Sequence, residues 1–399
     1  MKRALWSLGV AAALLLSTVV PVVFGQDAAE PLFLNGYHVV VPLRGTSGAR
    51  VRRAISAATV ASSSIAMWNY TVTSPIDGKT YSGTMVGSSP YMNGARTTNI
   101  PTIVIPLKVV FPDGSVFDPS VIDSCSPAAT PIAQVLGSPI FQPSTWTMNG
   151  INIGSGQYVD GFQRANFYDA NVSVTGDSYH TVLSPVTTLA TQTISIPANH
   201  GQVWGSLGGC KPLGIMDFST FDSIVKGTLI PSLAAQGVNP GNFPLFVLHD
   251  VVMGNPGTSP YQSCCVIGYH GAFGFPVQTY AVADYDSTFL FRTSPDIAPT
   301  SHEIGEWMDD PLGTNPTPSW GRIGQVAGCQ TNLEVGDPLS GSLYSQSGRF
   351  GVTMPNGLTY YPQQLAFFSW FYRQNPSIGV GGLYSNSGTF TSGAGGLCQ

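Results

Sequence analysis

An α+β fold, with a β-rich first half and an α+β second half, is what the sequence predicts for this chain of 399 residues. Three observations carry that prediction. Short β-branched and aromatic runs are bounded by Pro, Gly, Asp and Ser, and helical spacing is confined to a few segments. Glycine (46) and proline (31) are abundant, which suits many turns. Charged residues make up only 9% of the chain while hydrophobic residues make up 43%, so a large core sits beneath a mostly neutral polar surface.

The elements follow in chain order. Lys2 and Arg3 precede the apolar run "ALWSLGVAAALLLSTVVPVV", and "VFG" ends on the small residue Gly25. This pattern makes residues 1–25 a signal peptide. An uncleaved anchor is the plain alternative, and Pro21 with the small-residue exit favours cleavage. Residues 26–66 read as an N-terminal segment, either a linker or a short propeptide, and contain the strand-like "YHVVVPL". A β-rich region spans 67–200. "MWNYTVTS", "KTYSG", "IPTIVIPLKVVF" and "TISIPA" are its strands, and "QYVDGFQRANF" is a short helix. In the remaining region, 201–399, "STFDSIVKGTLIPSLAAQG" is helical with a disturbance at Pro231 and a stop at Gly237. "FPLFVLHDVVM" and "VQTYAVADY" are buried strands. "PTSHEIGEWMDDP" and "QQLAFFSWFYR" are helices.

The formal net charge of −5 argues against nucleic acid as a partner. No segment after the leader is long and apolar enough to span a bilayer. Six cysteines in an exported chain point to disulfides, and the adjacent Cys264 and Cys265 are each expected to reach elsewhere. The expected location is extracellular or periplasmic, with no membrane attachment once the leader is removed.

The most informative residue is glutamate. Only four occur, Glu30, Glu303, Glu306 and Glu334, and two of them follow His302 in "SHEIGEWMDDP". A histidine with glutamates at those two offsets arises by chance in about 6 of 10,000 chains of this composition. On a helix His302 and Glu306 share a face, so both can ligate one ion, and Asp310 lies one turn further along. Glu303 is rotated by one residue, placing it near the ion without ligation. Ile304, Trp307 and Met308 turn to the core, and Pro311 ends the helix.

"HEIGE" resembles the active helix of the zincin metallopeptidases, with glutamate in place of the second histidine. The resemblance covers about 40 residues and is similar in layout to the gluzincin branch, where a downstream glutamate is the third ligand and an aspartate soon after it supports the first histidine. "LEVGD" supplies Glu334 and Asp337 in those places. The resemblance therefore implies a zincin-like domain in 201–399, its active-site helix packed on a mixed sheet, with "VQTYAVADY" as the substrate-holding edge strand. It implies one Zn2+ on His302, Glu306 and Glu334, Glu303 as general base, and Asp310 and Asp337 as supporting groups or additional ligands. The oxygen-rich donor set also suits Mn2+, Fe2+ or Ca2+.

His270 and His249 are candidates for a transition-state donor or an outer contact, against the plainer reading of structural histidines; His270 is the one retained. No serine-hydrolase elbow is present. The sequence thus predicts a secreted metal-dependent hydrolase, a zinc metallopeptidase with a peptide or protein substrate. The alternative is a non-catalytic, β-rich secreted binding protein braced by a structural metal.

Overall fold

The computed structural model describes residues 65–92, 95–176, 179–205, 209–254, 264–288, 290–291, 296–340 and 351–398. The predicted leader and nearly all of segment 26–66 lie outside them. Two alternating stretches, β1 (Met67–Thr73) and β2 (Thr80–Val86), pair as an antiparallel hairpin. The long strand β3 (Arg96–Val110) follows, then β4 (Val116–Phe117), helix α1 (Pro131–Gly137) and a second hairpin, β5 (Ser144–Met148) and β6 (Ile151–Gly156). Helix α2 (Tyr158–Asn166) leads to β7 (Tyr179–Thr188), β8 (Gln192–Ser195), β9 (Gly201–Trp204) and β10 (Leu213–Asp217). Helix α3 (Phe218–Ile224) continues through a π-helical turn, Val225–Leu229, directly before Pro231, and the run stops at Gly237 with φ +98°. Pro231 lacks the amide that a regular turn would use, and the wide turn absorbs its ring.

The second half adds β11 (Phe243–His249), β12 (Val251–Gly254), β13 (Cys264–Val266), β14 (Gly268–Phe273) and β15 (Gln278–Tyr285). Helix α4 (Ala298–Asp309) carries the glutamates, and β16 (Pro316–Ile323) pairs with β17 (Val326–Asn332) beyond it. The class is α+β, as predicted. The seven-stranded sheet runs β14-β15-β11-β3-β4, with β7 and β8 on the other edge of β3, and it mixes parallel and antiparallel pairs.

β3 tolerates two prolines because of where they fall. Pro101 sits at the register shift against β7, and Pro106 lies between the end of the β7 ladder at Val104 and the start of the β8 ladder at Leu107. Neither position on that edge needs the missing N–H.

Three expectations need correction. β3 from the first half pairs with β11 from the second, so a boundary at residue 200 does not separate two sheets, and one core cluster draws on both sides. "VQTYAVADY" is not an edge strand: β15 lies between β14 and β11, and the edge is β14. In "QQLAFFSWFYR" only Phe368–Phe371 (α5) is helical. The run is apolar because Leu365 through Tyr372 are buried among other aromatic rings, a demand that extended and helical segments share.

Helix α4 is buried on every side. Ile304, Trp307 and Met308 enter the core as predicted, and Trp307 stacks on Phe243 of β11 with ring centroids 3.7 Å apart. That stack fixes the helix against the sheet. Trp307→Ala should cost about 3–5 kcal/mol in urea-unfolding measurements, from lost transfer energy and the residual cavity.

Candidate metal centre

His302, Glu303 and Glu306 project from α4, His270 from edge strand β14, and Glu334 and Asp337 from the turn after β17. All six are buried, none more than 2% exposed. Five of them form two overlapping groups of three whose ligand atoms lie within 4.8 Å of one another, His302, Glu303 and Glu306, and His270, Glu306 and Glu334; Asp337 stands outside both. Glu306 belongs to both.

The orientation of His302 is set by residues that no motif revealed. Gln363 Nε2 donates to Gly336 O (2.8 Å) and Ser340 Oγ (2.9 Å), which turns its Oε1 toward His302. His302 Nδ1 donates to that oxygen at 3.0 Å. Ser301, beside His302 on α4, accepts from Gln363 N at 2.8 Å and so ties the glutamine to the helix. With Nδ1 carrying the proton, a neutral His302 presents the lone pair of Nε2. That nitrogen lies 2.9 Å from Glu306 Oε1 and 3.5 Å from Asp337 Oδ1. Among the described residues Nε2 nevertheless has no hydrogen-bond partner of acceptable geometry, and neither do Glu303 Oε1 and Glu306 Oε2. Donor atoms around one small divalent cation stand about 3 to 3.5 Å apart, so the His302–Glu306 spacing fits such an ion.

His270 is held in a comparable way. Its Nε2 donates to the carbonyl of Asp310 at 3.2 Å, and a carbonyl can only accept, so Nδ1 is the nitrogen with a lone pair when the ring is neutral. Nδ1 faces Glu303 Oε2 at 3.1 Å and Glu306 Oε2 at 3.7 Å. Asn332 Nδ2 donates to Glu334 Oε1. Gly336 and Asp337 backbone amides donate to Glu306 Oε1 at 3.1 and 3.3 Å. Gln325 and Gln330 donate to the two oxygens of Asp337.

Electrostatics make the cluster costly. Among the described residues no lysine or arginine pairs with Glu303, Glu306 or Asp337; the groups facing them are the two imidazoles. Burying a charge costs several kcal/mol even after relaxation. Burial pushes Glu303 well above the ordinary carboxylate range and Glu306 up to about 7, against the opposing pull of His302. Burial lowers His302, but Glu306 beside it more than offsets this, and the imidazole is raised well above its usual value. A divalent cation would relieve all three.

The sequence-predicted roles fall out as follows. His302, Glu303 and Glu306 meet. Glu334 joins Glu306 through His270 rather than completing a group with His302. Asp337 reaches His302, but at Nε2; the orienting bond at Nδ1 belongs to Gln363. His270 is a member of the centre, not a donor waiting for substrate, since Nε2 is engaged by Asp310 O. Asp310 belongs to neither group, and its carboxylate serves the following turn: Oδ1 accepts from the amides of Thr314 and Asn315, and Oδ2 also accepts from Asn315. Asp309 bonds Gln163 and Asn166 of α2, so neither acid at the helix end needs an ion to explain it. Cys329 pairs with Cys398 and pins β17 upstream of Glu334, while Cys125 pairs with Cys210. The prediction for Cys264 rests on a side chain outside the described residues.

A third group, Asp123, His249 and Asp250, has the spacing of a metal site but already holds a cation. Lys211 Nζ lies 2.7 Å from Asp123 and 2.6 Å from Asp250, and His249 Nε2 lies 2.8 and 3.0 Å from the same carboxylates. His249 is thus an ion-pair residue in a closed network.

Comparison with protein-family models, curated proteins and solved structures finds no match for this chain. The likeness to zincins remains a local one, carried by the α4 motif.

Two outcomes test these assignments. A Cβ at Gly336 would lie 2.4 Å from His302 Nδ1 and 2.6 Å from two ring carbons, while its backbone (φ −83°, ψ −36°) suits any residue. Gly336→Ala should therefore displace the ring and weaken divalent-cation binding by about 10–100-fold in calorimetric titration. The second concerns His249. Burial lowers it, but Asp123 and Asp250 raise it further, to about 9. Because its folded value exceeds its unfolded one, its stabilisation is full below the unfolded value and fades as pH rises through about 9. Relative to His249→Gln, the wild type should lose up to about 3 kcal/mol of stability in urea unfolding between pH 6 and 10.

Proposed function

We propose that this chain is an exported, divalent-metal-dependent hydrolase, with peptide bonds the substrate class implied by its "HEIGE" segment. The observation that carries the reading is the orientation of His302: its Nδ1 is committed to Gln363, and its Nε2 is aimed without a hydrogen-bond partner at Glu306 and Asp337. His302 and Glu306 would hold the ion, with Asp337 beside them. A bound divalent cation supplies Lewis acidity, polarising a carbonyl and acidifying adjacent water.

The chain's own part is proton handling. Glu303 Oε2 lies 3.1 Å from Nδ1 of His270, whose ring is fixed through Asp310 O, and Oε1 is left to take a proton and return it to the leaving group. Export is supported by the leader-like N-terminus and the two described disulfides, and no helix among the described residues is long and apolar enough to cross a membrane.

A second reading has one observation in its favour. Every donor is buried, which suits a structural ion that braces α4 against the turn at 334–340. One experiment separates the two. Purified protein should contain a divalent metal, and Glu303→Gln should keep that metal while losing at least about 100-fold in hydrolysis of a mixed peptide library. Metal-dependent melting with no hydrolysis by the wild type would select the structural ion, and metal-free wild-type protein would reject both readings.

A further inference from the structure

The single-ion reading leaves half of the centre unexplained. Glu306 presents its two oxygens to two different histidines: Oε1 to His302 Nε2 at 2.9 Å and Oε2 to His270 Nδ1 at 3.7 Å. When its ring is neutral, each of those nitrogens bears the lone pair, because the other nitrogen donates to an acceptor, Gln363 Oε1 in one case and Asp310 O in the other. Two neutral rings would then present acceptor nitrogens to the two oxygens of one carboxylate. Each such meeting is repulsive until a cation lies between the partners, and one metal ion serves only one of them.

We propose that the centre holds two divalent cations bridged by Glu306. His302 Nε2 and Glu306 Oε1 bind the first, with Asp337 beside them. His270 Nδ1 and Glu306 Oε2 bind the second, with Glu334, whose Oε2 lies 4.0 Å from His270 Nε2, beside them. Charge supports the count. The buried carboxylates Glu303, Glu306, Glu334 and Asp337 carry four negative charges when ionised, and an imidazole that ligates a metal ion is neutral. Two divalent ions bring the sum to zero, whereas one leaves two negative charges in the core. Two-metal sites set their ions about 3.5–4 Å apart, and here two overlapping ligand groups share Glu306. The backbone makes room on the second side as well: a Cβ at Gly268 would lie 3.0 Å from Glu303 Cγ, so glycine at the start of β14 lets the strand carrying His270 close on α4.

This inference rests on the metal reading above, and the test distinguishes their failures. Full-length protein, stripped with chelator and dialysed against Mn2+, should take up two ions per chain by elemental analysis. Its electron paramagnetic resonance spectrum should show the exchange-coupled pattern of a bridged pair in place of the six lines of an isolated ion. His270→Ala and Glu334→Gln should each lower the count from two to one and restore the six-line signal, and His302→Ala should do the same from the other side. One ion in the wild type, or two uncoupled ions that survive His270→Ala, overturns the bridged pair and leaves the single-ion reading standing. No ion in the wild type overturns both.

Discussion

The structure turns on the carboxylate of Glu306, buried between two imidazoles with no lysine or arginine paired to it among the described residues. A group in that position costs several kcal/mol unless charge is supplied to it. The surrounding fold is arranged to keep it there. The stack of Trp307 on Phe243 holds α4 to the sheet, α2 takes Asp309 through Gln163 and Asn166, and amides of Gly336 and Asp337 close over Oε1. Each contact constrains the same 12-residue helix from a different direction.

The same chain solves a similar problem differently elsewhere. At the end of β11, Asp250 is as deeply buried as the glutamates and Asp123 nearly so, and Lys211 reaches both. There the counter-charge is built in and the network is closed. Around Glu306 no lysine is paired among the described residues, while the orienting bonds to His302 and His270 are made on the nitrogens that face away from Glu306. An internal brace would be satisfied by the first solution. The second makes physical sense where the charge comes from outside.

Much of this centre was legible in the sequence, for one reason: glutamate is so scarce that its clustering stands out. Rarity pointed to Glu303, Glu306 and Glu334 together, and helical periodicity placed Ile304, Trp307 and Met308 in the core. The pairing of those ligands was not legible. His270 meets α4 because β14 is the sheet edge beneath it, and strand order does not follow from local pattern. Gln363 looked like the first residue of an apolar helix, yet its value lies in an amide locked by Gly336 O and Ser340 Oγ. The segment 363–373 misled because burial, not periodicity, dictates its composition. The partners of Asp309 on α2 and of Asp310 in the 314–315 turn were not legible either, since they come from tertiary contact and turn geometry.

Glu303 is the residue that a purely structural centre has least use for. One of its oxygens lies against His270 and the other, Oε1, has no hydrogen-bond partner among the described residues, in a site where burial already drives the carboxyl far above its ordinary range. A glutamine there would remove a charge and keep the shape, relieving like-charge repulsion from Glu306 and Asp337. Buried polar atoms without partners cost about 1–3 kcal/mol each, and a fold selected for rigidity alone has cheaper side chains available. A carboxyl held near its proton, oriented by an imidazole and left with one unused oxygen, is instead the arrangement that proton transfer requires. The destabilising features of Glu303 thus carry the case for chemistry further than the ligand set does, because ligands alone would serve either a brace or a catalyst.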